Sequence, residues 1–376
     1  MTSANPDPRL SSHPPREVDL AAIERELNQL WKPPEGDGAT QDVLVRACMS
    51  NLIIYCATRE QARDVAEQVP AIVRAHPCRV LLLTGEAEDP EDDIDAYVSA
   101  HCHLVGDHHQ VCSEHVTINA SGDAILSLPS TARELLIGDL PTSLWWASHE
   151  APSLGGPLFT ELEEMAAQVV YSSLTWTDPV RGTITAARWA AGADPDATRI
   201  ADLSWRRLKP WRRLISQSLD PAVRPGALEA IQLVEVEHGP RGLPQAWMLV
   251  GWLAACLGWR PAGRTWARGW DYAWRFRAAH GPVEVRLRRL DGGDPEVRDV
   301  AVSWRSGGQS LAMTFAMTAP GRLAAWSLSF EAEPHILQAP IQSGALLVAF
   351  QLQDFARDTL FFEALRASRT MAEALT

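Results

Sequence analysis

The first 175 residues alternate between short apolar runs and amphipathic segments. The runs NLIIYC (51–56) and RVLLLTG (79–85) are apolar almost throughout, which predicts strands buried on both faces of a sheet. Between them, REQARDVAEQVPAIVRAH (59–76) has helical periodicity with a proline flaw at Pro70. Further strands are predicted in EHVTIN, PTSLWWAS and VVYSSL, and further helices in VDLAAIERELNQLW, DPEDDIDAYVSAHCH, PSTARELLIG and ELEEMAAQ. The alternation predicts an α/β domain with a mainly parallel sheet.

The second half has a different pattern. Helical periodicity dominates residues 178–217 and 244–257, and a period of two follows. Apolar residues then alternate with polar or small ones between turns at HGP, DGGD and SGG, which predicts an antiparallel meander with one wet face. Two helices, 344–351 and 355–374, close the chain. We therefore predict an α+β domain after the α/β domain, with the division 1–17 (disordered tail), 18–185 (α/β domain with a leading helix) and 186–376 (α+β domain).

The charge and the apolar content of the chain argue against nucleic-acid-binding, membrane and secreted proteins. The chain has 376 residues and a formal net charge of −13, which argues against broad attraction to nucleic acid or to an anionic membrane. The N-terminus is polar and proline-rich, without the apolar core of a signal peptide. The longest uncharged apolar stretch, Ala246 to Trp259, is shorter than the roughly 20 residues of a membrane span. Six cysteines, mostly inside apolar runs, indicate reduced thiols and a cytoplasmic protein.

Short catalytic and nucleotide-binding motifs are missing from the sequence. No G-x-G-x-x-G follows either apolar run, and there is no G-x-x-x-x-G-K-[ST], G-x-S-x-G or H-E-x-x-H. Without such glycines the backbone cannot approach a pyrophosphate closely. These absences weaken the hypothesis of an enzyme, although an active site can lack a short motif.

The stretch HCHLVGDHHQVCSEH, residues 101–115, carries five histidines and two cysteines, which are zinc-binding residue types. His101, Cys102 and His103 are consecutive, so their side chains diverge, and no C-x-x-C pair is present. The spacing favours a polar loop with incidental histidines and no bound metal. A metal-dependent enzyme centred on this stretch is kept as an alternative.

Tryptophan and arginine, the residues that most often anchor interfaces, cluster in two segments of a chain with 15 tryptophans. In DLSWRRLKPWRRLI (202–215), a helix capped by Ser204 would place Trp205, Leu208 and Trp211 on one stripe and most cations opposite, while Pro210 could instead split it into two short turns. In one interpretation the apolar stripe packs in the core and the cations form a solvated face. In the other, the cations form a patch that binds an acidic partner. The candidate partner-binding residues are Trp205, Arg206, Arg207, Lys209, Trp211, Arg212 and Arg213.

In the second segment, WRPAGRTWARGWDYAWRFR (259–277), a period of two places Trp270, Tyr272, Trp274 and Phe276 on one strand face. We interpret that face as core, with Arg275 and Arg277 pointing the other way. Basic residues interleaved with aromatics also suit single-stranded nucleic acid, so a nucleic-acid-binding protein is a further alternative. The net charge argues against it.

Six blocks occur in an order that resembles the OpcA family, the glucose-6-phosphate dehydrogenase assembly proteins of cyanobacteria and actinobacteria. The blocks, spread over roughly residues 40–260, are SNLIIYC, HPCRVLLL, QVCSEHVTI, LPSTARELLIGDLPTSLWW, ADLSWRRLKPWRRLISQSLD and GWLAACLGW. The resemblance implies a non-catalytic assembly factor or allosteric activator in the oxidative pentose phosphate pathway. Its implied partner is glucose-6-phosphate dehydrogenase, and it implies no cofactor. Some members of the family are linked to thiol–redox control, for which Cys102 and Cys112 are the candidates here.

Overall fold

In the computed structural model, two units of the chain each form a hydrophobic core around one β-sheet. The structure describes residues 12–30, 43–87, 91–105, 109–194, 198–327, 329, 333–339 and 342–376. The first unit comprises residues up to 171 together with 194–201 and 343–356, and the second comprises 172–193, 202–342 and 357–376. The domain boundary predicted between residues 185 and 186 stays a prediction.

The elements have the following bounds. The strands are β1 (Ser12–Val18), β2 (Val43–Arg46), β3 (Asn51–Cys56), β4 (Arg79–Glu86), β5 (Ile94–Val105), β6 (His109–Ser121), β7 (Thr142–Trp146), β8 (Gln168–Tyr171), β9 (Arg199–Asp202), β10 (Ile231–His238), β11 (Arg260–Arg268), β12 (Asp271–Ala278), β13 (Gly281–Arg289), β14 (Val297–Ser306), β15 (Gln309–Ala319), β16 (Arg322–Trp326) and β17 (His335–Gln338). The helices are α1 (Ile23–Leu30), α2 (Arg59–Ala66), α3 (Val69–Ala75), α4 (Leu128–Leu135), α5 (Gly156–Glu163), α6 (Pro179–Gly192), α7 (Leu203–Arg207), α8 (Lys209–Ser218), α9 (Leu243–Leu257), α10 (Gly344–Gln351) and α11 (Thr359–Glu373).

The first sheet confirms the predicted mainly parallel α/β layer. Its strand order is β1-β5-β6-β4-β3-β7-β8-β9, with β2 also paired to β6. Strands β2, β3, β4, β6, β7 and β8 pair in parallel, whereas β1 and β5 run antiparallel to their neighbours. From β6 to β9 this is the order 3-2-1-4-5-6 of a doubly wound dinucleotide-binding sheet. In such a sheet ligands bind outside the carboxyl ends of the two central strands, here β3 and β7.

One predicted helix of this unit is wrong. The segment that contains DIDAYVSAHCH forms strand β5, which pairs antiparallel with β6. The acidic residues before it resemble a helix start, but Ala96, Val98, Ala100 and Cys102 are buried and alternate with more exposed positions. That period of two fits a strand, and pairing with the long strand β6 outweighs the local acidic signal.

The proline at position 70 divides the predicted helix 59–76 into α2 and α3, with Pro70 in the first turn of α3. Proline is tolerated there because its missing N–H has no intrahelical partner. The predicted disordered tail also differs from the structure at its end: Ser12–Val18 form strand β1, while residues 1–11 lie outside the described residues. Pro14 and Pro15 fall at a register shift of this edge strand, a position that tolerates residues without a backbone donor.

The second sheet confirms the antiparallel meander and adds strands to it. Its order is β11-β12-β13-β10-β14-β15-β16-β17, and only the β10–β13 pair is parallel. Gly307 and Gly308 turn β14 into β15 with φ values of 56° and 81°. Two consecutive positive φ angles define the hairpin turn that matches strand twist, and glycine adopts them without strain.

Helix α9 lies in the core of the second unit, as its apolar sequence predicts. Trp247 is fully buried and meets Trp274 of β12 edge-on, with ring centroids 6.3 Å apart. Gly251 lets α11 approach, because a Cβ there would overlap the Ala364 carbonyl oxygen. Among the described residues, no helix is long and apolar enough to cross a membrane.

Candidate functional site

At the carboxyl end of β3, side chains of this protein form hydrogen bonds with backbone amides and with one another. A dinucleotide-binding sheet holds its ligand at this place. Thr58 caps α2 by accepting a hydrogen bond from the Gln61 amide (3.2 Å). Glu86, the last residue of β4, accepts one from the Arg59 amide (3.0 Å) and one from Arg59 Nε (3.1 Å). Arg59 Nη2 also lies 3.1 Å from the Asp95 carboxylate. A carboxylate at a helix N-terminus occupies the favourable position for an anion, and Glu86 lies in that position here.

Aromatic rings fill the switch point beside this helix end. Tyr55 and Trp146 are paired across β3 and β7, and their rings stack with centroids 4.3 Å apart. Trp146 meets Phe159 of α5 edge-on at 5.2 Å and donates its Nε1–H to the Glu150 carbonyl (3.0 Å). Burial raises the pKa of Tyr55 to about 12, so its hydroxyl stays protonated. Tyr55, Trp146 and Phe159 thus pack together beside the carboxyl ends of β3 and β7.

The predicted redox candidates are bonded to each other in the structure. Cys102 of β5 and Cys112 of β6 are cross-strand partners and form a disulfide. The prediction that all six cysteines are reduced is therefore wrong for this pair, because the segment that resembled a helix is a strand that brings the two sulfurs together. Both residues are at most 3% exposed, so the bond is buried.

Two histidines of this hairpin, His101 and His115, come together in the structure. His101 and His115 lie on one face, with His101 Nε2 3.1 Å from His115 Nδ1, and Thr117 Oγ1 lies 3.3 Å from His115 Nε2. Burial, together with the neighbouring His101, lowers the pKa of His115 to about 3. The part of the chain that the structure describes contains no group of three or more metal-ligating side chains. His108 lies outside the described residues.

A buried ion-pair cluster lies on the same hairpin and was missed by sequence reasoning. Glu114 of β6 is paired with Arg79 of β4 (2.8 Å) and with Arg46 (2.9 Å). Arg79 also binds Glu24 of α1 (2.6 Å) and the Leu135 carbonyl (2.7 Å). Both central residues fall in blocks on which the family resemblance rests, HPCRVLLL and QVCSEHVTI. A charged residue inside an apolar strand run was the signal that could have revealed them.

The segment 202–213 forms two short helices, the alternative that Pro210 indicated. Asp202 caps α7 through the Ser204 amide (2.8 Å), so the cap is Asp202 and not Ser204 as predicted. Asp202 is buried and also accepts hydrogen bonds from the amide and hydroxyl of Ser173. Pro210 lies in the first turn of α8.

The structure divides the seven candidate partner-binding residues between core and surface. Trp205 and Trp211 are buried, and Trp205 donates its Nε1–H to Asp358 (2.7 Å). Arg212 stacks on the Trp205 ring, with Cζ 3.4 Å from its centroid, and burial lowers the pKa of Arg212 to about 10. Arg207 is paired with Glu296 at 2.8 Å. Arg206 is half-buried, and Lys209 and Arg213 are exposed.

The second tryptophan segment is core only in part. Trp274 and Phe276 are buried, as the period of two predicts, and Tyr272 is half-buried. Trp270 instead lies in the turn between β11 and β12 and is 60% exposed, so its assignment to the core is wrong. A turn residue has no strand face, and the alternation ends there.

Two solved structures share the fold formed by the mainly parallel first sheet and the antiparallel second sheet. Glucose-6-phosphate 1-dehydrogenase from Mycobacterium avium has a similar structure, with a TM-score of 0.50 and 12% identity over 88% of this chain and 92% of that one. An oxidoreductase domain protein from Kribbella flavida has a TM-score of 0.51 and 13% identity over 87% of this chain and 96% of that one. At such low identity the likeness concerns the fold alone.

Two regions of the chain match the domain models of one protein family. Residues 69–188 match a model described as the glucose-6-phosphate dehydrogenase subunit N-terminal domain, and residues 198–365 match the corresponding C-terminal domain. Two similar proteins, from Synechocystis sp. and Synechococcus elongatus, bear the name OxPP cycle protein OpcA. They are 30% identical over 53% of this chain and 31% identical over 73% of it. The chain belongs to the OpcA family of glucose-6-phosphate dehydrogenase assembly proteins. It spans 41% and 62% of the length of these two relatives.

Proposed function

We propose that this protein is a non-catalytic partner of glucose-6-phosphate dehydrogenase that binds the enzyme and promotes its active oligomer in the oxidative pentose phosphate pathway. Both family domains carry a description that names a subunit of that enzyme. Membership of the family supports the partner, whereas the local chemistry of the chain supports the absence of catalysis.

The contact between Glu86 and Arg59 carries the non-catalytic part of the proposal. In a dinucleotide-binding sheet, the helix amides after the first strand bind pyrophosphate, and an acidic residue at the end of the next strand binds a ribose hydroxyl. Here that acidic position, Glu86, accepts hydrogen bonds from the amide and Nε of Arg59, the first residue of α2. The helix amide and the acidic side chain that would recognise the dinucleotide are therefore hydrogen-bonded to each other.

Redox control is a separate part of the proposal and depends on the disulfide between Cys102 and Cys112. Reduction would free both thiols and loosen the end of the β5–β6 hairpin. Because the bond is buried, a reductant reaches it only after the hairpin opens. We therefore expect the disulfide to act first as a structural cross-link, with slow reduction in the native protein.

The activity of the dehydrogenase from the same organism tests the proposal. Initial rates of NADPH formation are measured for the enzyme alone, for this protein alone and for the mixture, at enzyme concentrations low enough for its oligomer to dissociate. This protein alone should form no NADPH, and the mixture should be faster than the enzyme alone. Equal rates with and without this protein over a range of micromolar concentrations would contradict it.

A further inference from the structure

The edge of the second sheet carries a group of exposed arginines. Strands β11 and β12, which we call the basic hairpin (residues 260–278), contain five arginines against one carboxylate, that of Asp271. The five are all exposed, and none forms an ion pair with a carboxylate among the described residues: Arg260, Arg264, Arg268, Arg275 and Arg277. In a chain with a net charge of −13, this is a local reversal of sign. Arg260 and Arg277 lie directly opposite each other in the β11–β12 pair, and like charges in that position repel each other.

Two large aromatic side chains on the same hairpin face solvent. Trp266 is 42% exposed and lies opposite Ala273 in the β11–β12 pair, and Trp270 in the turn is 60% exposed. The Arg289 guanidinium lies over the Trp270 ring, with Cζ 4.8 Å from the ring centroid, which steadies the ring without covering it. Exposed tryptophan beside arginine is the composition of interface hot spots.

The backbone of β11 offers a third feature. This strand ends the strand order of its sheet, so no strand of the described residues pairs with its outer edge. Eight of its nine residues are exposed, and register shifts interrupt its pairing between Pro261 and Arg264 and between Arg264 and Trp266. Charges and bulges on an edge strand prevent indiscriminate strand addition, while leaving N–H and C=O groups available to a matched partner.

We infer that the basic hairpin is the surface that docks on the partner enzyme, with Trp266 and Trp270 as apolar anchors and the five arginines against acidic side chains of that enzyme. This inference rests on the proposed function and names its surface. The segment 202–213, in contrast, uses both tryptophans, Arg207 and Arg212 for contacts inside its own unit. Single-stranded nucleic acid would need a continuous basic groove, and the overall charge of the chain opposes it.

The test uses full-length chain and the dehydrogenase from the same organism, with binding measured at low and at moderate salt. The charge-reversal variant is Arg264→Glu with Arg268→Glu, and Arg264→Gln with Arg268→Gln is the milder version in case the reversal unfolds the chain. Trp266→Ala tests the anchor. Arg181→Glu with Arg241→Glu is the matched control, because these two exposed arginines lie in the same unit and give the same change in net charge.

The inference predicts that charge reversal weakens binding about tenfold or more and reduces its salt dependence, at an unchanged melting temperature. Trp266→Ala should weaken binding by a similar factor, and the control should stay within about twofold of wild type. Wild-type binding with unaltered affinity in all hairpin variants would overturn the inference and leave the proposed function standing. If the wild-type chain does not bind the dehydrogenase, both the inference and the proposed function are overturned. If the wild-type chain captures a labelled oligothymidine and the charge-reversal variant does not, the partner of the basic hairpin is a nucleic acid and not a protein.

Discussion

Arg59 and Glu86 satisfy each other through two separate hydrogen bonds, one from the backbone amide at the start of α2 and one from the guanidinium. The contact joins the groups that a dinucleotide-binding sheet keeps for its ligand. We expect titration of the chain with NADP or NADPH, followed by tryptophan fluorescence, to show no saturable change up to about 1 mM, the weakest end of common substrate affinities. Saturable binding that Arg59→Ala alters would contradict this account of the helix end.

The Glu114–Arg79 pair gives a stability prediction. Glu114→Gln leaves the Arg79 guanidinium buried with one of its carboxylate partners removed, so we expect a loss of about 3 kcal/mol in the free energy of unfolding. Urea denaturation measures it. The control is Asp294→Asn, which breaks the exposed pair with Arg298 and should cost about 0.5 kcal/mol or less. Equal losses in the two variants would show that Glu114 and Arg79 do not act as a buried pair.

The low pKa of His115 should make the free energy of unfolding depend on pH. Its pKa is about 3 in the folded chain and 6.5 in its unperturbed state, so between these values the unfolded chain binds a proton that the folded chain excludes. Stability therefore falls as the pH falls through this window. Between about pH 7 and pH 5, His115→Gln should remove about 2 kcal/mol of that loss. Identical pH profiles of the His115 variant and wild type would contradict the shift.

The disulfide should stabilise the chain and resist reduction. Loss of the short cross-link in Cys102→Ala with Cys112→Ala should lower the free energy of unfolding by about 2–3 kcal/mol. In the native protein dithiothreitol should release thiols from this pair slowly, and in urea quickly, because both sulfurs are buried. Thiol release at the same rate in both conditions would show that the bond is accessible without opening of the hairpin.

The exposed and paired cations of the segment 202–213 should respond differently to charge reversal. Arg207→Glu removes the partner of Glu296 and should lower the free energy of unfolding by about 1 kcal/mol. Lys209→Glu with Arg213→Glu should leave the melting temperature unchanged, and because these exposed residues lie outside the basic hairpin, the change should slow association with the dehydrogenase only about threefold. A melting temperature lowered by several degrees in the double variant would assign these two residues a structural role.

Buried elements with a strong period could be predicted from sequence. The apolar runs of β3 and β4, the helix α9 and the alternating strands β13 to β15 follow the predicted pattern, because burial on one or both faces leaves few alternatives. The strand β5 could not, because the acidic residues before it resemble a helix start and its small buried residues give a weak signal.

The site was less accessible to sequence reasoning than the fold. Glu86 and Arg59 are 27 residues apart and meet only because β3 and β4 are neighbours with parallel registers. Glu114 and Arg79 meet in the same way across β4 and β6. Pair contacts of this kind depend on strand order, which local periodicity does not encode. The cationic segment 202–213 was recognisable as a cluster, but the pairing of Arg207 with Glu296 was not.

We propose that this protein binds glucose-6-phosphate dehydrogenase and shifts it toward a larger active oligomer. Sedimentation velocity of the labelled enzyme, at a concentration where it is partly dissociated, measures that shift directly when unlabelled chain is added. The account predicts that the small species of the enzyme disappears and that a faster species containing both proteins replaces it. An enzyme that sediments identically with and without a micromolar excess of this protein would contradict the account.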